Sequence, residues 1–414
     1  MKFHWFAEVT YPHLPADFAD KYPSAWITIP PALHDPEQAG ETLRMFVRLL
    51  EHADAVGFDG LAVNEHHQNA GAMTPSPNLL AAALATTTKR AALLVIGDSL
   101  ALYNPPLRVA EELAFLDCLS GGRVIAGFVV GTAMDSVYSY GVPPVELRER
   151  FDEARKLILK SWTAPEAFAF NGKYTQLRYV NPWPRPIQKP HPPVWVPGSG
   201  SRETWDLVID EDYCYGHLSF SGMRAAKPVV DGFWEYVDQR GGDMNPHRMA
   251  FTQLVCIADS EAEAERQYGD AVRYFYRNTN RVSRGFVTAP GYRSAESLRW
   301  ELERQQSNPE RAKAYMGQLT FKEYNDLGFI IAGSAETVRE RLREVIKELR
   351  VGQLIATLHM GNLPEETAEK NTTLFATEVI PYLRDLWADQ EDRWTPAACQ
   401  PVLDSAAVGA PAGD

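Results

Sequence analysis

The sequence predicts one (β/α)8 barrel with insertions, and three observations carry that reading. Short apolar runs alternate with longer amphipathic segments along most of the chain, the alternation completes eight strand–helix units, and the residues that follow the strands are polar. That last position is where a barrel enzyme builds its active site. A doubly wound open sheet is the alternative, but that fold places a glycine-rich turn directly after its first strand, and residues 5–13 contain no glycine.

The units follow in order. Apolar run 3–9 opens the chain, and a proline-rich loop leads to Asp35-Pro36, which starts a helix with Gln38 placed to complete a capping box. Leu43, Phe46, Val47, Leu50, Ala53 and Val56 recur there at helical spacing, up to Gly57. Strands at 58–63, 93–96 and 124–128 alternate with helices at 78–89, 107–119 and 145–162. After an irregular proline-rich stretch, 163–193, come strand 194–196, a helix near 203–209, a strand near 213–215 and helix 223–239. Run 250–258 is the seventh strand, and Ser260 with Glu263 would cap the helix after it. From about 274 to 329 a polar, arginine-rich sequence breaks the rhythm and reads as an insertion. Helix 336–349, strand 354–359 and helix 365–387 complete the barrel, so residues 1–390 form one domain and 391–414 a loose tail.

Composition narrows the function. With 45% hydrophobic and 23% charged residues the 414-residue chain is an ordinary globular protein. Its 41 Lys+Arg against 54 Asp+Glu give a net charge of −13 without a basic tract, which makes nucleic acid and anionic membrane poor partners. Cys118, Cys214, Cys256 and Cys399 lie too far apart for a zinc or redox motif. Residues 1–9 lack a basic region followed by a long apolar run, and no apolar stretch is long enough to span a bilayer, so a cytoplasmic enzyme is expected.

Asn64-Glu65-His66-His67 follows the second strand, Asp98-Ser99 and then Asn104 the third, and Gly131-Thr132 and Tyr138 the fourth. Gly198-Ser199-Gly200-Ser201 follows the fifth, His217 and Ser219 the sixth, and His359 the eighth. Adjacent histidines on an extended chain point in different directions, so His66 and His67 do not share a metal. One of them would face the cavity and the other serve as a hydrogen-bonded partner. Metal hydrolases on this barrel carry a His-x-His on the first strand, whereas His4 stands alone, and no metal ligand is assigned. The 198–201 loop lies between a strand and a helix, which would aim backbone N–H groups and a helix terminus at a phosphate, although glycine and serine also make ordinary turns.

The run Arg108-Val109-Ala110-Glu111-Glu112 through Leu116-Asp117-Cys118-Leu119-Ser120-Gly121-Gly122-Arg123 resembles the signature of bacterial-luciferase-like flavin monooxygenases. Glu65-His66-His67, Gln188-Lys189-Pro190-His191-Pro192-Pro193, Gly333-Ser334-Ala335-Glu336-Thr337-Val338 and Phe375-Ala376-Thr377-Glu378-Val379-Ile380-Pro381 fit the same pattern, so the resemblance spans nearly the whole chain in order. It implies a (β/α)8 barrel, often dimeric, that uses reduced FMN from a separate reductase to activate O2 and oxygenate a small organic substrate. His66, the first histidine of the motif, would then lie near the reactive edge of the flavin as the catalytic residue. Gly198, Ser199 and Ser201 would cradle the phosphate, Gly131 and Tyr138 would lie near the cofactor, and Asp98 and Asn104 would face its ring.

Two departures stand out. Relatives often show Gly-x-Gly-x-Gly after the fourth strand, where this chain has Gly127-Phe128-Val129-Val130-Gly131, and Gly-Gly-Ser after the fifth, where it has Pro197-Gly198-Ser199, losing one N–H donor. An apolar mouth of Trp5, Phe6, Trp26 and Phe128, partly covered by the insertion, would exclude water, or these aromatics would simply fill the core. A neutral His66 would accept or return a proton. A deazaflavin (F420) hydride-transfer enzyme of the same superfamily is the nearest rival function, and a metal-dependent barrel hydrolase the second.

Overall fold

The computed structural model describes residues 1–282, 284–287, 289, 291–304 and 309–400. Its strands are β1 (Lys2–Phe6), β2 (Gly60–Val63), β3 (Ala92–Ser99), β4 (Val124–Val129), β5 (Phe168–Asn171), β6 (Gln176–Val180), β7 (Val194–Gly198), β8 (Cys214–His217), β9 (Met249–Ile257), β10 (Ile330–Gly333) and β11 (Gln353–Thr357). Eight of them, β1-β2-β3-β4-β7-β8-β9-β11, pair in parallel and close into a barrel through β8–β9 and β11–β1. The expected (β/α)8 architecture is what the chain adopts.

Strand parity sorts the side chains, because successive residues point to opposite faces. Phe6, Ala62, Leu94, Ile96, Ile125, Trp195, Ala250 and Ile355 form one buried cluster inside the barrel. Their neighbours pack outward against the helices. Trp5 is one of these, and its Nε1 donates to Thr372 Oγ1 on helix Glu365–Leu374 at 2.9 Å. Phe128 likewise stacks on Trp162 of helix Leu147–Thr163. Of the two readings left open for these aromatics, Trp5 and Phe128 follow the core-filling one, since their parity is that of the outer layer. Phe6 stays inside the barrel, and Trp26 alone of the four touches His66.

The 127–131 departure has a steric counterpart. A Cβ on Gly127 would stand 2.1 Å from the Val95 carbonyl oxygen, and one on Gly97 would stand 2.5 Å from that of Gly127. β3 and β4 therefore meet backbone to backbone where their register shifts between Val95 and Asp98. Gly127 serves strand packing.

Helix starts follow the sequence in part. Asp35 caps helix Pro36–Val56 by accepting from the Glu37 and Gln38 N–H groups, but the Gln38 side chain accepts from Tyr11 OH and no box is closed. Ser260 caps helix Glu261–Tyr274, while Glu263 pairs with Arg266. That helix runs into a π turn, Phe275–Thr279, and helices Arg284–Val287, Ala295–Arg304, Pro309–Tyr315 and Phe321–Asp326 follow. Tyr276 stacked on Tyr324 at 4.4 Å joins the two ends of this region. Three strands were not foreseen. β10 pairs with the carboxyl half of β9 over four residues, too few to show a period, and β5–β6 is an antiparallel hairpin in the proline-rich stretch, outside the barrel.

The tail also differs from expectation, because residues 391–400 are docked at the amino-terminal end of the barrel. Trp394 is 2% exposed and joins the interior cluster, its Nε1 donating to Asp212 O and its carbonyl accepting from Trp195 Nε1. An indole is large enough to close that end where Ala62, Ala92 and Ala250 leave room. Residues 401–414, the rest of the expected tail, lie outside the described residues. Truncating a buried Trp costs about 3–5 kcal/mol, so Trp394→Ala is expected to lower the thermal unfolding midpoint clearly. An unchanged midpoint would show that the docked tail contributes no stability.

Candidate active site

The carboxyl ends of β1, β2, β3 and β4 converge on a cluster of partnered charges. Glu65 Oε2 accepts from the Ser99 N–H at 2.6 Å and from Tyr103 OH at 3.3 Å, and Glu65 Oε1 meets His67 Nε2 at 2.7 Å. His67 Nδ1 meets Tyr140 OH at 3.2 Å, so both its ring nitrogens are engaged. His66 is held differently. Its Nδ1 meets Asp135 Oδ2 at 2.8 Å, and among the described residues its Nε2 has no protein partner. Asp135 also accepts from the His67 N–H at 2.9 Å and from Thr132 Oγ1 at 2.6 Å. The Trp26 ring meets His66 edge-on at 4.8 Å, and its Nε1 donates to Thr279 O.

Burial sets the charge states. It disfavours a charged His66, but the carboxylates of Asp135, Glu8 and Glu65 outweigh it and raise the imidazole to about 9. His66 is thus cationic at neutral pH, which corrects the expectation of a neutral ring. Asp135, although desolvated, is held below the usual range by His66. Burial pushes up Glu8, whose Oε2 accepts from Asn64 Nδ2 at 2.7 Å. Asp98, fully buried and facing Glu65 and Glu112, is pushed up strongly. Its Oδ1 accepts from Asn78 Nδ2 at 3.0 Å, while Oδ2 has no partner among the described residues.

Across the mouth, the loop after β7 has the form of an anion site. Gly200 adopts φ of 101°, a conformation open to glycine at little cost, and Ser201 is the N-cap of helix Arg202–Asp210 without a side-chain capping bond. Two guanidiniums reach the loop: Arg148 Nη2 donates to Ser201 Oγ at 3.2 Å and Arg293 Nη2 to Ser199 Oγ at 2.8 Å. Tyr292 OH donates to Gly131 O at 2.8 Å, tying the inserted region to the end of β4. Hydroxyls, helix N–H groups and two cations suit a phosphate dianion.

The expected residues thus fall into two groups. His66 and Asp98 belong to the charge cluster, and Gly198, Ser199 and Ser201 to the anion loop, with Gly131 bonded to Tyr292. Tyr138 is half exposed and meets Phe286 edge-on at 4.8 Å. Asn104 is exposed on its loop, apart from the cluster. Two of the four histidines expected at this face serve packing. His359 bonds Leu363 O, packs edge-on against Phe46 and is lowered by burial to about 4, and His217 stacks on Phe251. Glu8, Tyr103, Asp135, Arg148 and Arg293 were not foreseen. Asp135 stands four residues past Gly131 in a strand-end loop, a usable signal, whereas Arg148 and Arg293 look like ordinary surface charges in sequence.

A closed parallel barrel with a histidine–carboxylate cluster and an anion loop at one mouth is the framework of a cofactor-dependent enzyme. The model of the luciferase-like monooxygenases matches residues 25–353, and the chain belongs to that family of oxidoreductases. It is 36% identical over 253 residues to limonene 1,2-monooxygenase of Rhodococcus erythropolis, covering 59% of this chain and 63% of that one. It is 23% identical over 339 residues to the oxygenase component of the flavin-dependent trigonelline monooxygenase of Acinetobacter baylyi, covering 75% and 92%. Among solved structures, the oxygenating constituent of 3,6-diketocamphane monooxygenase of Pseudomonas putida, in complex with FMN, superposes with a TM-score of 0.64 at 21% identity, covering 83% and 94%. An F420-dependent secondary alcohol dehydrogenase gives 0.61 at 18%, covering 93% and 99%. Among the described residues no helix is long and apolar enough to cross a membrane, and no three His, Cys, Asp or Glu side chains are gathered to hold a metal ion.

The charged pair makes stability depend on pH. Because the folded His66 titrates at about 9, above an unfolded histidine near 6.5, its contribution is full below about 6.5 and is lost as pH rises through about 9. The difference in thermal midpoint between the wild type and His66→Gln is therefore expected to shrink over that interval. A difference that stays constant from pH 6 to 10 would refute the charged pairing.

Proposed function

We propose that this protein is the oxygenase component of a two-component FMN-dependent monooxygenase, acting on a small organic substrate with O2 and with reduced FMN delivered by a separate reductase. The observation that carries the reading is the loop 198–201, where Ser199, Ser201, the start of helix Arg202–Asp210, Arg148 and Arg293 gather a donor set suited to one phosphate, at the same barrel mouth as His66. Reduced FMN, when bound, supplies the electrons that activate O2.

The chain's own residues do the rest. The loop and its two arginines bind the phosphate and set the register of the ligand. Asp98 would face the flavin ring, with Gly131 and Tyr138 near the cofactor, whereas Asn104, exposed on its loop, is left out of this set. His66 holds a proton at Nε2, the nitrogen that Asp135 leaves free. Trp26, Met134 and Phe286, one apolar cluster beside His66, keep water from the reacting centre. The enzyme works in the cytoplasm as a homodimer or higher homo-oligomer. Similarity to the F420-dependent alcohol dehydrogenase favours a second reading, hydride transfer with a deazaflavin and no O2.

Oxygen uptake with chemically reduced FMN across a substrate panel tests the proposal. Substrate-dependent uptake with an oxygenated product is expected, and reduction of F420 without uptake would replace it by the second reading. Charge-assisted hydrogen bonds are worth roughly 1.5–3 kcal/mol, so Ser199→Ala with Ser201→Ala is expected to weaken FMN binding at least about tenfold while leaving riboflavin, which lacks the phosphate, unaffected. Equal losses for both ligands would move the phosphate elsewhere. His66→Ala is expected to lower turnover by about 10²–10⁴ with FMN affinity nearly intact, and full turnover in that variant would remove His66 from catalysis.

A further inference from the structure

We propose that Asp135 is the positioning residue that makes His66 a proton donor, by holding Nδ1 and leaving the Nε2–H to face the barrel mouth. The inference rests on the flavin monooxygenase reading above and assigns a residue that no motif in the sequence singled out.

The argument begins with the number of ties. The Asp135 carboxylate, its side chain 2% exposed, receives Thr132 Oγ1 and His66 Nδ1 on one oxygen and the His67 N–H on the other. It therefore clamps the side chain of one histidine and the backbone of the next. Its own backbone is held in the π turn Met134–Ser139 that follows β4, with Ser136 N bonded to Thr132 O at 2.9 Å. A carboxylate fixed from both ends can accept only along set directions, and that fixes the imidazole plane. The Trp26 edge restrains the ring from the side, and a Cβ on Gly71 would stand 2.5 Å from that indole, so Trp26 is itself seated against backbone.

With Nδ1 committed, the proton that His66 can give away is the one on Nε2. The charged groups facing the ring come from three loops: Glu8 after β1, Glu65 on its own loop after β2, and Asp135 after β4. All three are acidic and favour the imidazolium, which Nε2 can present to a basic oxygen of a bound ligand. In that step the Nε2–H bond breaks and an O–H bond forms. His66 becomes a neutral ring with its proton on Nδ1, still bonded to Asp135, and no electrons change hands. Solvent returns the proton through the exposed 16% of the His66 side chain.

The test is read in the flavin-free protein. In ¹⁵N-histidine spectra, with His66→Gln used to assign the signal, His66 is expected to carry protons on both nitrogens at pH 7 and to titrate near 9. Asp135→Asn is expected to lower that midpoint by about two units or more, toward the ordinary value of about 6.5, and Asp135→Glu to restore part of the shift. In turnover, Asp135→Asn is expected to reduce kcat at least about tenfold and to move the alkaline limb of the kcat profile down by the same amount, with FMN affinity unchanged. A wild-type His66 that is neutral at pH 7 overturns the proposal without any variant. So does a midpoint that Asp135→Asn leaves in place, or a loss of kcat with an unmoved pH profile, which would mark a merely structural carboxylate. If the titrations come out as expected and no oxygenation is found with any substrate, Asp135 keeps its assignment and the monooxygenase reading falls.

Discussion

A carboxylate buried at the mouth of a barrel is costly unless it is partnered, and of the four acidic side chains buried there, Glu8, Glu65, Asp98 and Asp135, two, Glu65 and Asp135, stand on either side of adjacent histidines. The pairing rule decides most of what surrounds them. Each carboxylate takes one ring nitrogen, and each also takes a backbone N–H, of Ser99 for Glu65 and of His67 for Asp135. The loops after β2, β3 and β4 are thereby stitched together at one level of the barrel. Two histidines with the same chemistry acquire different roles because Tyr140 occupies the second nitrogen of His67 and, among the described residues, no protein group occupies that of His66.

Such a cluster needs a scaffold that does not relax around it, and the barrel interior supplies one. Trp195 fills the lower barrel, Trp394 closes the end below it, and the two are tied by a hydrogen bond. Where β3 and β4 approach through Gly97 and Gly127, neither position has room for a Cβ, so the strands that deliver Asp98 and Asp135 have little freedom to slide. Residues 391–400 thus brace the barrel from the end opposite the mouth.

The repeating frame was readable because it is periodic. Helix Pro36–Val56, β4 and helix Leu107–Ser120 show their period locally, and the Glu65-His66-His67 run sits where barrel enzymes keep their chemistry. What escaped the sequence shares one property, namely that its meaning depends on a partner far along the chain. Arg293 matters through Ser199, 94 positions away, and Asp135 through His66, 69 positions away. Trp394 looked like tail because its partners, Asp212 and Trp195, are 182 and 199 residues distant. The His66 charge was misread for the same reason, since an isolated imidazole gives no hint that Glu8 and Asp135 will be folded around it.

The arrangement also separates two electrostatic tasks that would interfere if they were adjacent. Arg148 and Arg293 gather positive charge at the end of β7, while Glu8, Glu65, Asp98 and Asp135 gather acidic groups at the ends of β1 to β4. A dianion seated beside the acidic cluster would be repelled, and an imidazolium seated beside two guanidiniums would lose its proton more easily. Under the function proposed above, a ligand with a phosphate at one end and a neutral ring at the other would relieve both conflicts by spanning the mouth. The inserted region is bonded to the cationic pole through the Tyr292 carbonyl, which accepts from Arg148, and through Arg293, and to Trp26 through the Thr279 carbonyl. One segment therefore touches both poles, so the Trp26 edge beside His66 is mechanically tied to how the 198–201 loop is held.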